Sequence, residues 1–106
     1  LLDDVMIVTL AEFGRTPQIN ASLGRDHFAS AWSSTITGGG GIVGGSVYGK
    51  TDEKGMKVVA ENVDAGSLFA TIYSALGIDP EKNYYAGSRP IPLVNPGVHP
   101  IKAVLK

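Results

Sequence analysis

Val5-Met6-Ile7-Val8-Thr9-Leu10 is a short apolar run, rich in β-branched residues, bounded by Asp3-Asp4 on one side and by Gly14 and Pro17 on the other. Such a run without polar alternation reads as a central strand buried on both faces, the habit of parallel sheets. A strand of that kind delivers the residues after its C-terminal end to the crevice where open α/β sheets bind ligands. Glu12, Arg15, Asp26 and His27 follow the run and hold most of the candidate chemistry.

The chain's 106 residues suit one small domain. Leu1 opens it without a Met, and a parallel strand starting within five residues of that point leaves its sheet neighbours unsupplied. Residues 1–106 are therefore expected to be a fragment or processed product of a longer chain. A net charge of -1, from nine Lys and Arg against ten Asp and Glu, argues against nucleic acid or an anionic membrane as partner. No segment approaches the roughly 20 apolar residues that span a bilayer. With no cysteine, thiolate zinc sites and cysteine nucleophiles are excluded from the chain, so any metal must take oxygen or imidazole ligands. Fourteen glycines, about twice the usual share, alongside 43% hydrophobic residues describe a folded chain rich in tight turns.

Residues 14 to 26 show no apolar period, and Pro17, Asn20, Ser22 and Gly24 mark a loop over a site. Phe28 to Trp32 reads as a helical turn, and Ser33 to Thr37 as a second strand cut off by the turn Gly38-Gly39-Gly40-Gly41. Residues 42 to 49 and 57 to 59 flank a polar, glycine-bearing turn as two short strands or extended arms. The clearest helix opens at Asp64 as N-cap and runs from Ala65 to Leu76, with Leu68, Ile72 and Leu76 on one face and Gly77 as its stop. Pro90, Pro92, Pro96 and Pro100 hold the tail extended.

Asp26 and His27 on a loop can turn a carboxylate oxygen and an imidazole nitrogen toward one divalent ion, with Glu12 as a third ligand. The plainer alternative pairs Asp26 with Arg25 and leaves His27 on a backbone carbonyl. The planar fork of Arg15 suits two oxygens of a phosphate or sulfate group, and equally an ion pair with Glu12. Gly38 to Gly41 lacks the lysine and the following helix of a phosphate loop. No serine sits in a Gly-x-Ser-x-Gly elbow, His99 reads as a surface residue, and Tyr84, Tyr85, Phe28 and Trp32 read as apolar cover or core.

The order Val8-Thr9-Leu10-Ala11-Glu12-Phe13-Gly14-Arg15-Thr16-Pro17, then Gly24-Arg25-Asp26-His27-Phe28, then Thr35 to Ile42, then Val63 to Ile78, covers nearly the whole chain. It resembles the C-terminal part of sulfatase-like proteins in the alkaline phosphatase superfamily, and most closely the bacterial family called domain of unknown function 1501. In catalytic members of that superfamily a strand ends in an Asp-His pair that helps to hold one or two divalent metals, and the nucleophile lies far upstream. Here the strand ends in Glu12-Phe13, and Asp26-His27 stands ready to restore the lost ligands.

The resemblance implies zinc, manganese or calcium as cofactor and a small or polymeric anionic ester as substrate. It also implies an N-terminal remainder of the same protein as partner and a periplasmic or secreted setting. The expected fold is α/β, the C-terminal segment of a mostly parallel, alkaline phosphatase-like sheet flanked by helices. The expected function is metal-dependent hydrolysis of a phosphate or sulfate ester, with Glu12, Asp26 and His27 as metal ligands and Arg15 as anion clamp. The alternative is a non-catalytic binding or structural module on the same scaffold, to which Phe13 points because it cannot coordinate. A third reading makes the glycine-rich arms edge strands of an oligomer.

Overall fold

Helix α1 (Ala65–Ala75) forms where its caps place it. The Asp64 carboxylate accepts a hydrogen bond from the Ser67 amide at 2.7 Å, satisfying one of the orphan donors at the helix start. Leu76 closes the helix and Gly77 follows with φ +78°. Its inner face buries Ala70 and Thr71. Thr71 is fully buried, so its hydroxyl needs partners: it donates to the Ser67 carbonyl at 2.6 Å and accepts from the Ile101 amide at 2.9 Å.

The expected parallel sheet does not form, and the alkaline phosphatase-like α/β fold is corrected by what the chain builds in its place. Strand β1 (Met6–Thr9) pairs with β4 (Thr35–Gly38), and the Thr9 and Thr35 hydroxyls hydrogen-bond each other. The remaining pairs are antiparallel and local: β2 (Gly14–Arg15) with β3 (His27–Phe28), β5 (Lys50–Thr51) with β6 (Val58–Ala60), and β7 (Asn83–Ala86) with β8 (Arg89–Pro92). Local hairpins need no crossover helix, which a parallel sheet requires. Accordingly α1 is the single α-helix, joined only by the short 3-10 turn η1 (Lys102–Val104). In β1 exposure alternates, with Ile7 half exposed, so a run that looks buried on both faces is covered on one side only.

Two smaller expectations also change. Phe28 ends a strand and no helical turn follows it, while Trp32 is 47% exposed instead of buried. The proline-bearing tail is extended over Arg89–Pro92, as expected, and pairs there with β7.

The computed structural model describes residues 1–106, in two compact units. The first comprises Leu1–Met6, Thr37–Ser46 and Val63–Lys106. In it the tetraglycine turn is a close-packed backbone: Gly38 has φ +76°, and a Cβ there would lie 2.3 Å from the Val5 carbonyl oxygen. The Gly39 amide donates to the Leu2 carbonyl at 2.7 Å, and the end of the chain is tied in by Lys106 donating to the Gly41 carbonyl at 2.9 Å. The second unit comprises Ile7–Ile36 and Val47–Asn62 and carries hairpins β2–β3 and β5–β6. Its Asp52 carboxylate closes the β5–β6 turn by accepting from the Met56 amide at 2.8 Å.

Candidate functional site

The β2–β3 hairpin gathers the candidate residues in the second unit, with Gly14 opposite Phe28 and Arg15 opposite His27. The ladder extends beyond the named strands, since the Thr16 amide donates to the Asp26 carbonyl at 3.0 Å and the Asp26 amide donates to the Thr16 hydroxyl at 3.1 Å. Asn20 organises the connecting loop. Its Oδ1 accepts from the amides of Ser22 at 2.9 Å and Gly24 at 3.0 Å, the local side-chain-to-backbone bonding that makes asparagine a turn residue. Its Nδ2 donates to Asp26 Oδ1 at 2.9 Å.

This register decides which side chains meet. Successive side chains of a strand point to opposite faces, so Asp26 and His27 diverge although they are neighbours in sequence. Arg15 instead lies directly across from His27, in a pair that shares no ladder bonds, where side chains stand closest. Arg25 precedes the ladder, and its side chain reaches back across the hairpin to the opposite backbone. Arg15 donates through Nη2 to the Arg25 carbonyl, and Arg25 donates through Nη1 to the carbonyls of Thr16 at 2.7 Å and Pro17 at 2.6 Å. Each guanidinium has five donors, so these bonds fix the two side chains without exhausting them. The imidazole of His27 stacks on Phe13, ring centroids 4.0 Å apart and planes inclined by 31°.

The cation that the resemblance implies does not fit this arrangement. No group of three His, Cys, Asp or Glu side chains is placed to hold a metal ion. Asp26 is committed to Asn20, His27 shares its face with arginine, and Glu12 stands exposed outside the strand pair. Neither Arg25 with Asp26 nor Arg15 with Glu12 is the pairing found; both guanidinia bond backbone carbonyls. Asn20-x-Ser22-x-Gly24 marks the loop in the sequence, whereas the bonds that Thr16, Asn20 and Arg25 make within the site depend on the hairpin register, which no local pattern shows. His99 is exposed, as expected of a surface residue.

An open groove of about 550 Å³ in the same unit is lined by Phe28, Ser30, Met56, Lys57, Val58 and Asn62. It offers one cation and two polar side chains, with no carboxylate or imidazole to move a proton.

Neither the curated proteins nor the solved structures contain a match to this chain. The profile of the family described as a protein of unknown function, DUF1501, matches residues 1–105, and the chain belongs to that family.

Proposed function

We propose that the chain is a non-catalytic binding module that holds an anionic ester group, phosphate or sulfate, at the Arg15–His27 pair and the adjoining Arg25. The observation that carries this reading is the register of Arg15 with His27, with the Asp26 carboxylate held by Asn20. A guanidinium fork matches two oxygens of a phosphoryl or sulfuryl group, and a second guanidinium beside it raises the attraction for a dianion. The face that carries Arg15 and His27 has no carboxylate to complete a metal site, so the ester is recognised and left intact. The resemblance to sulfatase-like proteins fits a member that keeps the anion and lacks the metal. Metal-dependent hydrolysis of the ester is the second reading, favoured by the exposed Glu12 three residues before the arginine that would clamp the substrate.

The test is titration of the isotope-labelled chain with inorganic sulfate and inorganic phosphate, followed by NMR. Saturable shifts at Arg15, Arg25 and His27 are expected, with affinity reduced about tenfold or more in Arg15→Gln and unchanged in Asp26→Asn. Nitrophenyl phosphate and sulfate are expected to stay intact with or without zinc, manganese or calcium. Metal-dependent turnover lost in Asp26→Ala would establish the hydrolytic reading instead, and the absence of anion-induced shifts would remove the binding face.

A further inference from the structure

We infer that the β7–β8 hairpin is a self-association element, in which the outer edge of β7 pairs antiparallel with β7 of a second copy of this chain to make a four-stranded sheet. This does not rest on the anion-binding reading, since the hairpin belongs to the other unit.

The hairpin stands alone as a two-stranded sheet, with all eight of its residues exposed. An isolated two-stranded hairpin is marginal in water and gains independent stability from a third strand or a packed helix. Each face carries an apolar pair, Tyr84 opposite Ile91 on one and Tyr85 opposite Pro90 on the other, with Arg89 and Asn83 as the polar members and Lys82 Nζ 5.1 Å from the Tyr84 ring centroid.

The two edges differ. The Leu93 amide donates to the Lys82 carbonyl, so the alternation of the ladder makes Tyr84–Ile91 and Ala86–Arg89 the bonded pairs. Pro90 and Pro92 therefore face away from β7, and the outer edge of β8 has no N–H at either position. That edge is closed to further strands, which is how prolines blunt sheet edges. On β7, the N–H and C=O groups of Asn83 and Tyr85 point outward and are free of the hairpin ladder.

One open and one closed edge select the occupant. Pairing β7 with β7 about a two-fold axis places both closed β8 edges outside, so growth stops at two copies. The register that engages most donors puts Asn83 opposite Tyr85 of the second copy, and the reverse, which sets Tyr84 across from its own counterpart. Lys82 then meets Ala86, so no like charges face each other across the axis.

The chain has no cysteine, which makes cross-linking diagnostic. Across the axis the Tyr84 Cα atoms would be about 4.5 Å apart, within disulfide range, whereas the two Ile91 positions, three strand spacings apart, would be about 14 Å from each other. In the whole chain Tyr84→Cys is expected to oxidise to a covalent dimer and Ile91→Cys to remain monomeric. Sedimentation should show a concentration-dependent dimer that persists in Tyr85→Val and is lost in Tyr85→Pro, which removes an outward N–H the hairpin does not use. If Tyr85→Pro does not fold, the two cysteine variants still decide. A chain that stays monomeric at millimolar concentration, equal cross-linking at both positions, a dimer indifferent to Tyr85→Pro, or open-ended assembly would each overturn the inference.

Discussion

Thr71 shows how much one hydroxyl can hold when nothing else reaches the place. It joins the helix to the Ile101 amide thirty residues away in sequence, and no water reaches it. Thr71→Val keeps the shape and removes the acceptor, leaving a buried N–H without a partner. A loss of about 1–3 kcal/mol in urea unfolding is expected, with faster hydrogen exchange at Ile101, while Thr71→Ser retains most of the bond. Asp64 acts in the open, at the helix start. The Ser67 amide stabilises its ionised form and holds its carboxyl below the usual aspartate range. A carboxyl depressed by folding stabilises the native state above its unfolded pKa, and that contribution is lost as pH falls through the folded value. The melting temperature of the parent is therefore expected to drop on acidification through the lower part of the aspartate range by more than that of Asp64→Asn, which has no proton to gain; equal acid sensitivity would show that the cap does not couple to pH. Asp64 was legible because a cap is written within four residues, whereas the partner of Thr71 lies on a segment that no local pattern connects to the helix.

At the scale of elements, the same division between local and distant information explains what the sequence revealed. Helix α1 was readable, caps and stop included, because its determinants lie inside it. The run from Val5 to Leu10 was misjudged because apolarity alone does not say whether one face or two are covered. The β7–β8 hairpin did announce itself: Gly87-Ser88 is a two-residue loop with glycine where a type II′ turn needs positive φ, and Gly87 has φ +62°. Its prolines drew attention away from that signal. Asp26 and His27 looked like a ligand pair as loop neighbours, and strand alternation set them apart. The β2–β3 element also makes a steric prediction. A Cβ at Gly14 would lie 2.5 Å from the Ala31 carbonyl oxygen and 2.8 Å from Trp32 Cβ, so Gly14→Ala must displace backbone, costing about 1–3 kcal/mol. Gly44 faces open space without a positive φ, and Gly44→Ala is expected to gain about 0.4–1 kcal/mol by narrowing the unfolded ensemble. Denaturant midpoints moving in the same direction for both would contradict this packing.

For the whole molecule, the balance between buried and exposed apolar groups sets the behaviour. Besides glycines, only Ala31, Ala70 and Thr71 are buried, while Leu1, Leu23 and Val47 are almost fully exposed and Phe69 and Leu76 leave a second apolar face along α1. Helices without charge on any face are normally covered all round, and α1 has none from Ala65 to Ala75. So little internal burial leaves a narrow margin over conformational entropy, and any association that covers apolar surface appears directly in the unfolding equilibrium. Folding linked to dimer formation has a midpoint that rises with chain concentration, since mass action favours the associated state. For a chain of this size a tenfold increase is expected to raise the melting temperature by a few degrees. Pairing through β7 requires that this slope vanish in Tyr85→Pro and survive in Tyr85→Val. If both variants keep the slope, the α1 face with Phe69 and Leu76 becomes the contact to examine, because it remains the other apolar surface of the same unit.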